Sequence, residues 1–233
     1  MHNNIAERLT SAYQQIAEII AKCHRKLPTA QLIAVSKTKP VEDVLAAYLA
    51  GQRDFGENYV QELVEKATHF EDKSDICWHF IGPIQSNKTR DIAAFASVVH
   101  SIDRLKIAER LSAQRPTHLP PLKVLIQVNI SQEASKAGIL SEDLLAFADE
   151  LVKYPNLQLI GLMAIPEPAQ AGDNQVAFRQ MQQLSEKLQQ RYPSATELSM
   201  GMSDDWQQAL TFGATMIRLG TAIFGQREPK KHE

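Results

Sequence analysis

The chain has 233 residues, 44% of them apolar, with 25 Lys plus Arg against 27 Asp plus Glu for a formal charge of −2, and only two cysteines. At this length roughly 70% of the unfolded surface leaves water on folding, so one domain spanning residues 1–233 needs no disulfide framework or structural metal to hold its core. The charge argues against a broad grip on nucleic-acid phosphate or an anionic membrane, leaving a small anion as the expected charged ligand.

Residues Met1 to Pro28 lack the charged start and continuous apolar run of a signal peptide, and nowhere does the chain approach the roughly 18 apolar residues of a membrane span. A cytoplasmic protein is expected. Ile5, Leu9, Ile16 and Ile19 fall at helical spacing and predict an extra N-terminal helix that covers the bottom or side of the domain. Cys23 stands beside His24 without further ligands at metal spacing, so Cys23 and Cys77 read as reduced structural thiols and no metal site is expected. The apolar run Leu32 to Lys37 predicts a strand. Val41, Val44, Leu45 and Tyr48 then predict a helix that stops at Gly51.

This unit recurs, with further strands expected at Asp54 to Gly56, Ile76 to Gly82, Val98 to Ile102, Val124 to Ile130, Leu157 to Ile165, Glu197 to Met200 and Thr215 to Gly220. Helical stripes such as Leu144, Ala148, Leu151 and Ala177, Met181, Leu184, Leu188 lie between them. Eight strands, each followed by a helix, in a chain near the usual size of about 250 residues predict a closed (β/α)8 TIM barrel with an extra N-terminal helix. An open doubly wound sheet is the second choice.

Barrels of this kind carry their functional groups at the C-terminal ends of the strands. Those ends hold Lys37, Gly56-Glu57-Asn58, His79 with Gly82, Asp103, Asn129, Met163, Gly201-Met-Ser203 and Arg218-Leu-Gly220-Thr221. Lys37 closes an apolar strand. A partly desolvated amine there loses its proton more readily and can attack an aldehyde, whereas a solvated strand-end lysine would be chemically idle. Gly201-Met-Ser203 and Gly220-Thr221 end strands seven and eight, where barrels often cradle phosphate, with Ser203 expected to cap the next helix; a cap and a tight turn are the plainer alternative. Arg218 points inward with Met216 and needs a partner, either a carboxylate such as Glu57 or Asp103 or a cofactor ring nitrogen. His79 and His100 are strand histidines, more often core residues than bases. An amine, a phosphate cradle and an arginine between them suit pyridoxal phosphate, and on these residues alone a Schiff-base aldolase acting on a sugar phosphate suits nearly as well.

Six motifs separate these readings: Ala34-Val-Ser-Lys-Thr-Lys-Pro40, Phe55-Gly-Glu-Asn-Tyr-Val-Gln-Glu62, Trp78-His-Phe-Ile-Gly-Pro-Ile-Gln-Ser-Asn-Lys88, Gly161-Leu-Met163, Leu198-Ser-Met-Gly-Met-Ser-Asp-Asp205 and Arg218-Leu-Gly-Thr-Ala-Ile-Phe-Gly225. Together, over residues 5–225, they resemble the YggS/PROSC family of pyridoxal phosphate homeostasis proteins, whose fold is similar to the N-terminal barrel of alanine racemase. The resemblance implies that Lys37 holds the cofactor as a Schiff base, that Ser203, Gly220 and Thr221 hold its phosphate, and that Arg218 faces the pyridine nitrogen. It gives Asn58 and His79 supporting or cofactor-contact roles. No catalytic residue is assigned. The implied protein is a cofactor carrier, with pyridoxal phosphate-dependent apoenzymes as partners, and the lack of a racemase-type second domain makes a monomer the expected state. A racemase or lyase is the alternative, disfavoured because no second proton donor opposes Lys37 and no racemase-type second domain is expected after Gly225. The tail Gln226 to Glu233 carries no motif and is expected to fray.

Overall fold

The computed structural model describes residues 3–23, 29–131, 137–166 and 174–226. The expectations for His24 and for most of the C-terminal tail fall outside them. Helix α1 (Asn3–Cys23) precedes strand β1 (Gln31–Val35), and the alternation then runs α2 (Val41–Leu49), β2 (Asp54–Glu57), α3 (Val60–His69), β3 (Cys77–Phe80), α4 (Thr89–Phe95), β4 (Val98–Ile102) and α5 (Leu105–Gln114). It continues through β5 (Leu122–Gln127), α6 (Leu144–Leu151), β6 (Leu157–Met163), α7 (Gln175–Arg191), β7 (Glu197–Ser199), α8 (Trp206–Thr211), β8 (Met216–Leu219) and α9 (Thr221–Phe224). All eight strands are parallel in sequence order, and β8 closes on β1 with Ile33 opposite Arg218. The closed (β/α)8 barrel therefore stands, and the open sheet does not.

Side-chain alternation sorts each strand between two cores. Leu32, Ala34, Val124, Ile126, Ile217 and Leu219 join the large cluster beneath the helices. Their neighbours Ile33, Val98, Leu125, Ile160, Met163 and Met216 form a separate small cluster inside the barrel. The helices supply matching stripes, such as Leu144, Ala148 and Leu151 of α6 and Phe178, Met181 and Leu188 of α7. Helix α1 buries Ile5, Leu9, Ile16 and Ile20 against the side of the barrel, packing on α2, α8 and α9.

Several strands end earlier than the apolar runs predict. Strand β1 stops at Val35: the Ser36 amide still donates to Gly56, but Lys39 then donates back to the Ser36 carbonyl and closes a turn, with Thr38 at φ 63°. Lys37 thus rides on a turn at the barrel mouth. The same shortening moves Val128 to Ile130 out of β5 and Ala164 and Ile165 out of β6. It places the chemistry-bearing residues in loops that the strands aim.

Candidate functional site

The half-buried Lys37 is flanked by two residues that a buried charge network fixes. Glu57, at the end of β2, is fully buried; its Oε1 accepts from Ser36 Oγ at 2.6 Å and from Lys66 Nζ at 2.7 Å. Lys66, from α3, also donates to the Ser36 carbonyl at 2.7 Å and to Glu62 Oε2 at 3.0 Å, and the same Glu62 oxygen accepts from the Thr38 amide at 2.7 Å. Ser36 and Thr38 are therefore both pinned. Burial raises the Glu57 carboxyl to about 7 despite Lys66 and Ser36, and its Oε2 is buried without a hydrogen-bond partner among the described residues. Glu57 was a candidate partner for Arg218, and it serves Lys66 and Ser36 instead. Lys66 and Glu62 carry no signal in a linear reading beyond their spacing of four on one helix face.

Asn58 follows Glu57 directly, and its Oδ1 is buried with no partner among the described residues. Its backbone packs against the loop after β3 at Gly82, where a Cβ would stand 2.1 Å from the Asn58 carbonyl oxygen. Only glycine permits that approach. On the other side of β1 from Asn58, Gly220 passes that strand so closely that a Cβ would lie 3.3 Å from the Val35 carbonyl oxygen. The first amides of α9, at Thr221 and Ala222, have no acceptor within their own helix. Lys39 ties this segment to the Lys37 turn by donating to the carbonyls of Phe224 at 3.3 Å and Gln226 at 3.0 Å.

Ser203 sits in an exposed turn beside this segment, since the Arg218 amide donates to the Gly201 carbonyl at 3.0 Å. It does not cap α8 as expected. The cap position is Asp205, whose carboxylate accepts from the Met202 amide at 2.7 Å and from Asn174 Nδ2 at 2.8 Å and so shapes the turn. Thr221 is likewise exposed, at the first position of α9.

Arg218 is 3% exposed and points into the barrel. No carboxylate pairs with it among the described residues: one guanidinium nitrogen donates to Ser199 Oγ at 2.6 Å and the other to the Ala164 carbonyl at 3.1 Å. Burial lowers its pKa to about 10, which still leaves it cationic at neutral pH. Asp103, the other carboxylate considered, instead accepts from Arg104 and from the Gly138 amide.

From Ser199 a line of hydrogen bonds runs down the barrel axis. His100 Nδ1 meets Ser199 Oγ at 2.8 Å, His100 Nε2 meets His79 Nδ1 at 2.9 Å, and His79 Nε2 meets Asp54 Oδ1 at 3.0 Å. His79 is therefore not brought to the mouth. It is fully buried with both ring nitrogens engaged, and Asp54 is the first residue of its strand, at the pole opposite Lys37. A contact between His79 and a ligand beside Lys37 is a sequence expectation that the geometry replaces with this axial role. Burial by itself pushes His79 down, but hydrogen bonds with Asp54 and Cys77 outweigh it and hold the imidazole up to about 9. Burial, then the charges of His79 and Arg218, push His100 well below its ordinary value. A cationic His79 donates Nδ1–H to His100, so the neutral His100 donates its own Nδ1–H to Ser199, which accepts from both His100 and Arg218.

The chain matches the model of the alanine racemase N-terminal domain over residues 12–228. It is 51% identical over 233 residues to a pyridoxal phosphate homeostasis protein of Vibrio cholerae, covering 97% of each chain. Among solved structures it is similar to PipY of Synechococcus elongatus with pyridoxal phosphate bound, at a TM-score of 0.77 and 41% identity over 90% of this chain and all of that one. The alanine racemase of Corynebacterium glutamicum shares the fold at a TM-score of 0.67 and 15% identity, covering all of this chain but 63% of the racemase.

Proposed function

Because the chain belongs to the alanine racemase N-terminal domain family, and within it to the pyridoxal phosphate homeostasis proteins, we propose that it binds pyridoxal phosphate as a reversible Schiff base on Lys37, keeps the free aldehyde scarce, and releases it to apoenzymes. The observation that carries this reading is the meeting of two neighbouring strand ends, those of β1 and β8. Lys37 rides on a turn pinned from both sides, the glycine-bearing loop after β8 lies against the same strand, and Arg218 enters the barrel from β8, the neighbouring strand.

The residues present suit the group. The orphaned Asn58 Oδ1 offers an acceptor, and the exposed start of α9 at Thr221 and Ala222 offers backbone amides to a phosphate. When bound, the cofactor supplies an aldehyde that condenses with a primary amine, releasing one water and reversing by hydrolysis. Lys37 supplies the amine. Ser203, Gly220 and Thr221 hold the phosphate through hydroxyl and backbone N–H donors. Arg218 faces the ring nitrogen as a permanent cation, and a cation there disfavours protonation of that nitrogen. The cofactor is then a weak electron sink, which favours holding and release over amino-acid chemistry. Asn58 contributes a mouth contact, and His79 acts only through His100 and Ser199.

An absorption spectrum of the purified protein, followed by borohydride reduction and peptide mapping, tests the reading. The expected result is Schiff-base absorption and a reduced adduct on Lys37, both lost in Lys37→Ala with the fold retained. Absorption unchanged in that variant overturns the assignment of Lys37. Sustained turnover of an amino acid by the unmodified protein would make it a racemase or lyase instead.

A further inference from the structure

The pole opposite Lys37 carries a second cluster of chemically active side chains. Asp54 opens β2, Cys77 opens β3, and His79 lies two residues further along β3 on the same inward face. Their donor atoms, a carboxylate oxygen, the thiol sulfur and an imidazole nitrogen, all lie within 4.8 Å of one another. We propose that Asp54, Cys77 and His79 bind a zinc-class divalent metal ion at the N-terminal pole of the barrel.

Three independent features support the site. The donor set is the first: thiolate, imidazole and carboxylate are the ligands that borderline-soft divalent ions such as zinc select over magnesium or calcium. Donors bound to zinc at about 2.0–2.3 Å stand roughly 3.3–3.8 Å apart in a tetrahedron, so adjustments of about an ångström close these three around an ion. Access is the second. Gln31, Cys77, His79, Lys123, Glu197 and Met216 line a cavity of about 230 Å³, which reaches two of the three donors and has room for an ion to enter. Lys123 opposes a cation there, and the Glu197 carboxylate in the same lining offsets it.

The third feature is the support behind His79. A metal-ligating histidine usually gives its other ring N–H to an acceptor that fixes its orientation and raises its basicity. His79 already does so through His100 at 2.9 Å, with Ser199 and Arg218 beyond it. An ion on Nε2 replaces one proton and leaves the rest of that line in place. A bound ion would thus be connected to Arg218, at the mouth, by unbroken hydrogen bonds.

Binding is measured by isothermal titration of zinc into the full chain and by visible absorption after cobalt(II) substitution, read as a difference against the metal-free protein. The expected result is one zinc ion per chain, tetrahedral cobalt bands, and affinity weakened in Cys77→Ser and Asp54→Asn by more than the roughly 10- to 100-fold typical of losing an outer-shell partner. Cys23→Ser should bind like the unmodified chain. X-ray absorption at the zinc edge of the unmodified protein, with one sulfur at about 2.3 Å and nitrogen or oxygen at about 2.0 Å, keeps the test independent of how the variants fold. Absence of binding, zinc without a sulfur ligand, or equal affinity in the folded Cys77→Ser and Asp54→Asn chains overturns the site. Because the readout is metal and not cofactor, its failure leaves the reading of Lys37 untouched.

Discussion

The two poles of the barrel use the same strands in opposite ways. At the C-terminal pole the strands stop early, and polar residues sit on turns and glycine-bearing loops whose positions are enforced from outside the barrel by Lys66, Glu62 and Lys39. At the N-terminal pole the polar residues are inside the strands, and Asp54, Cys77 and His79 are fixed by the sheet register that sets Asp54 opposite Cys77. The mouth is therefore built from loops held by side chains outside the barrel, and the opposite pole from strand residues held by the sheet. A site that must take up and release a ligand of cofactor size suits the first arrangement, and a site for a bare ion suits the second.

The sharpest way to break the mouth without touching Lys37 is Lys66→Met. Removing one partner of a buried pair typically costs about 3–5 kcal/mol, because the other charge is left uncompensated. Here Glu57 already titrates at about 7, so the loss should be largest at pH 8 and smaller at pH 5, where the carboxyl accepts a proton. Denaturant unfolding at the two pH values, with cofactor affinity measured alongside, checks this. An equal loss at both would mean that Glu57 is not the group left exposed.

The opposite pole has its own pH signature. The folded pKa of His79 is raised from 6.5 to about 9, so its contribution is fully present below 6.5 and is lost as the pH rises through about 9. On the order of 3 kcal/mol is at stake, from 1.36 kcal/mol per unit. Asp54→Asn should flatten that fall. A metal-free unmodified chain equally stable at pH 6.5 and 9.5 would remove His79 as a buried cation.

Smaller effects sharpen the link between the poles. Gly82→Ala drives a methyl group into the Asn58 carbonyl and should cost about 1–3 kcal/mol, as overpacking does, together with cofactor affinity. Ser199→Ala deprives His100 and Arg218 of a shared acceptor. It should cost about 1–3 kcal/mol and shift the pH dependence of the bound-cofactor spectrum while Schiff-base attachment survives. A stability loss with an unchanged spectral pH profile would confine Ser199 to packing.

Much of the fold was legible because periodicity is local. The run Leu32 to Val35 and the stripe Leu144, Ala148, Leu151 each announce their element, and eight such units leave few ways to close a sheet. Strand ends were less legible, since a turn such as the one from Ser36 to Lys39 depends on hydrogen bonds that hydrophobicity does not encode. The same holds for caps. Ser203 had the residue type of an N-cap, but the bonds of Asp205 to Met202 and Asn174 place the helix start later.

What the sequence determined by itself is the alternation of strand and helix, the delivery of Lys37, Gly220 and Arg218 to the strand ends, and the motifs that carry the family. These are properties of neighbouring residues and of order along the chain. Which carboxylate answers which cation was decided only by the tertiary structure: Glu57 turned to Lys66, Arg218 to Ser199, and His79 away from the mouth to Asp54. The reason is that burial makes an unpaired polar group costly, and its partner is then whatever the closed barrel brings within about 3 Å, at any separation in sequence.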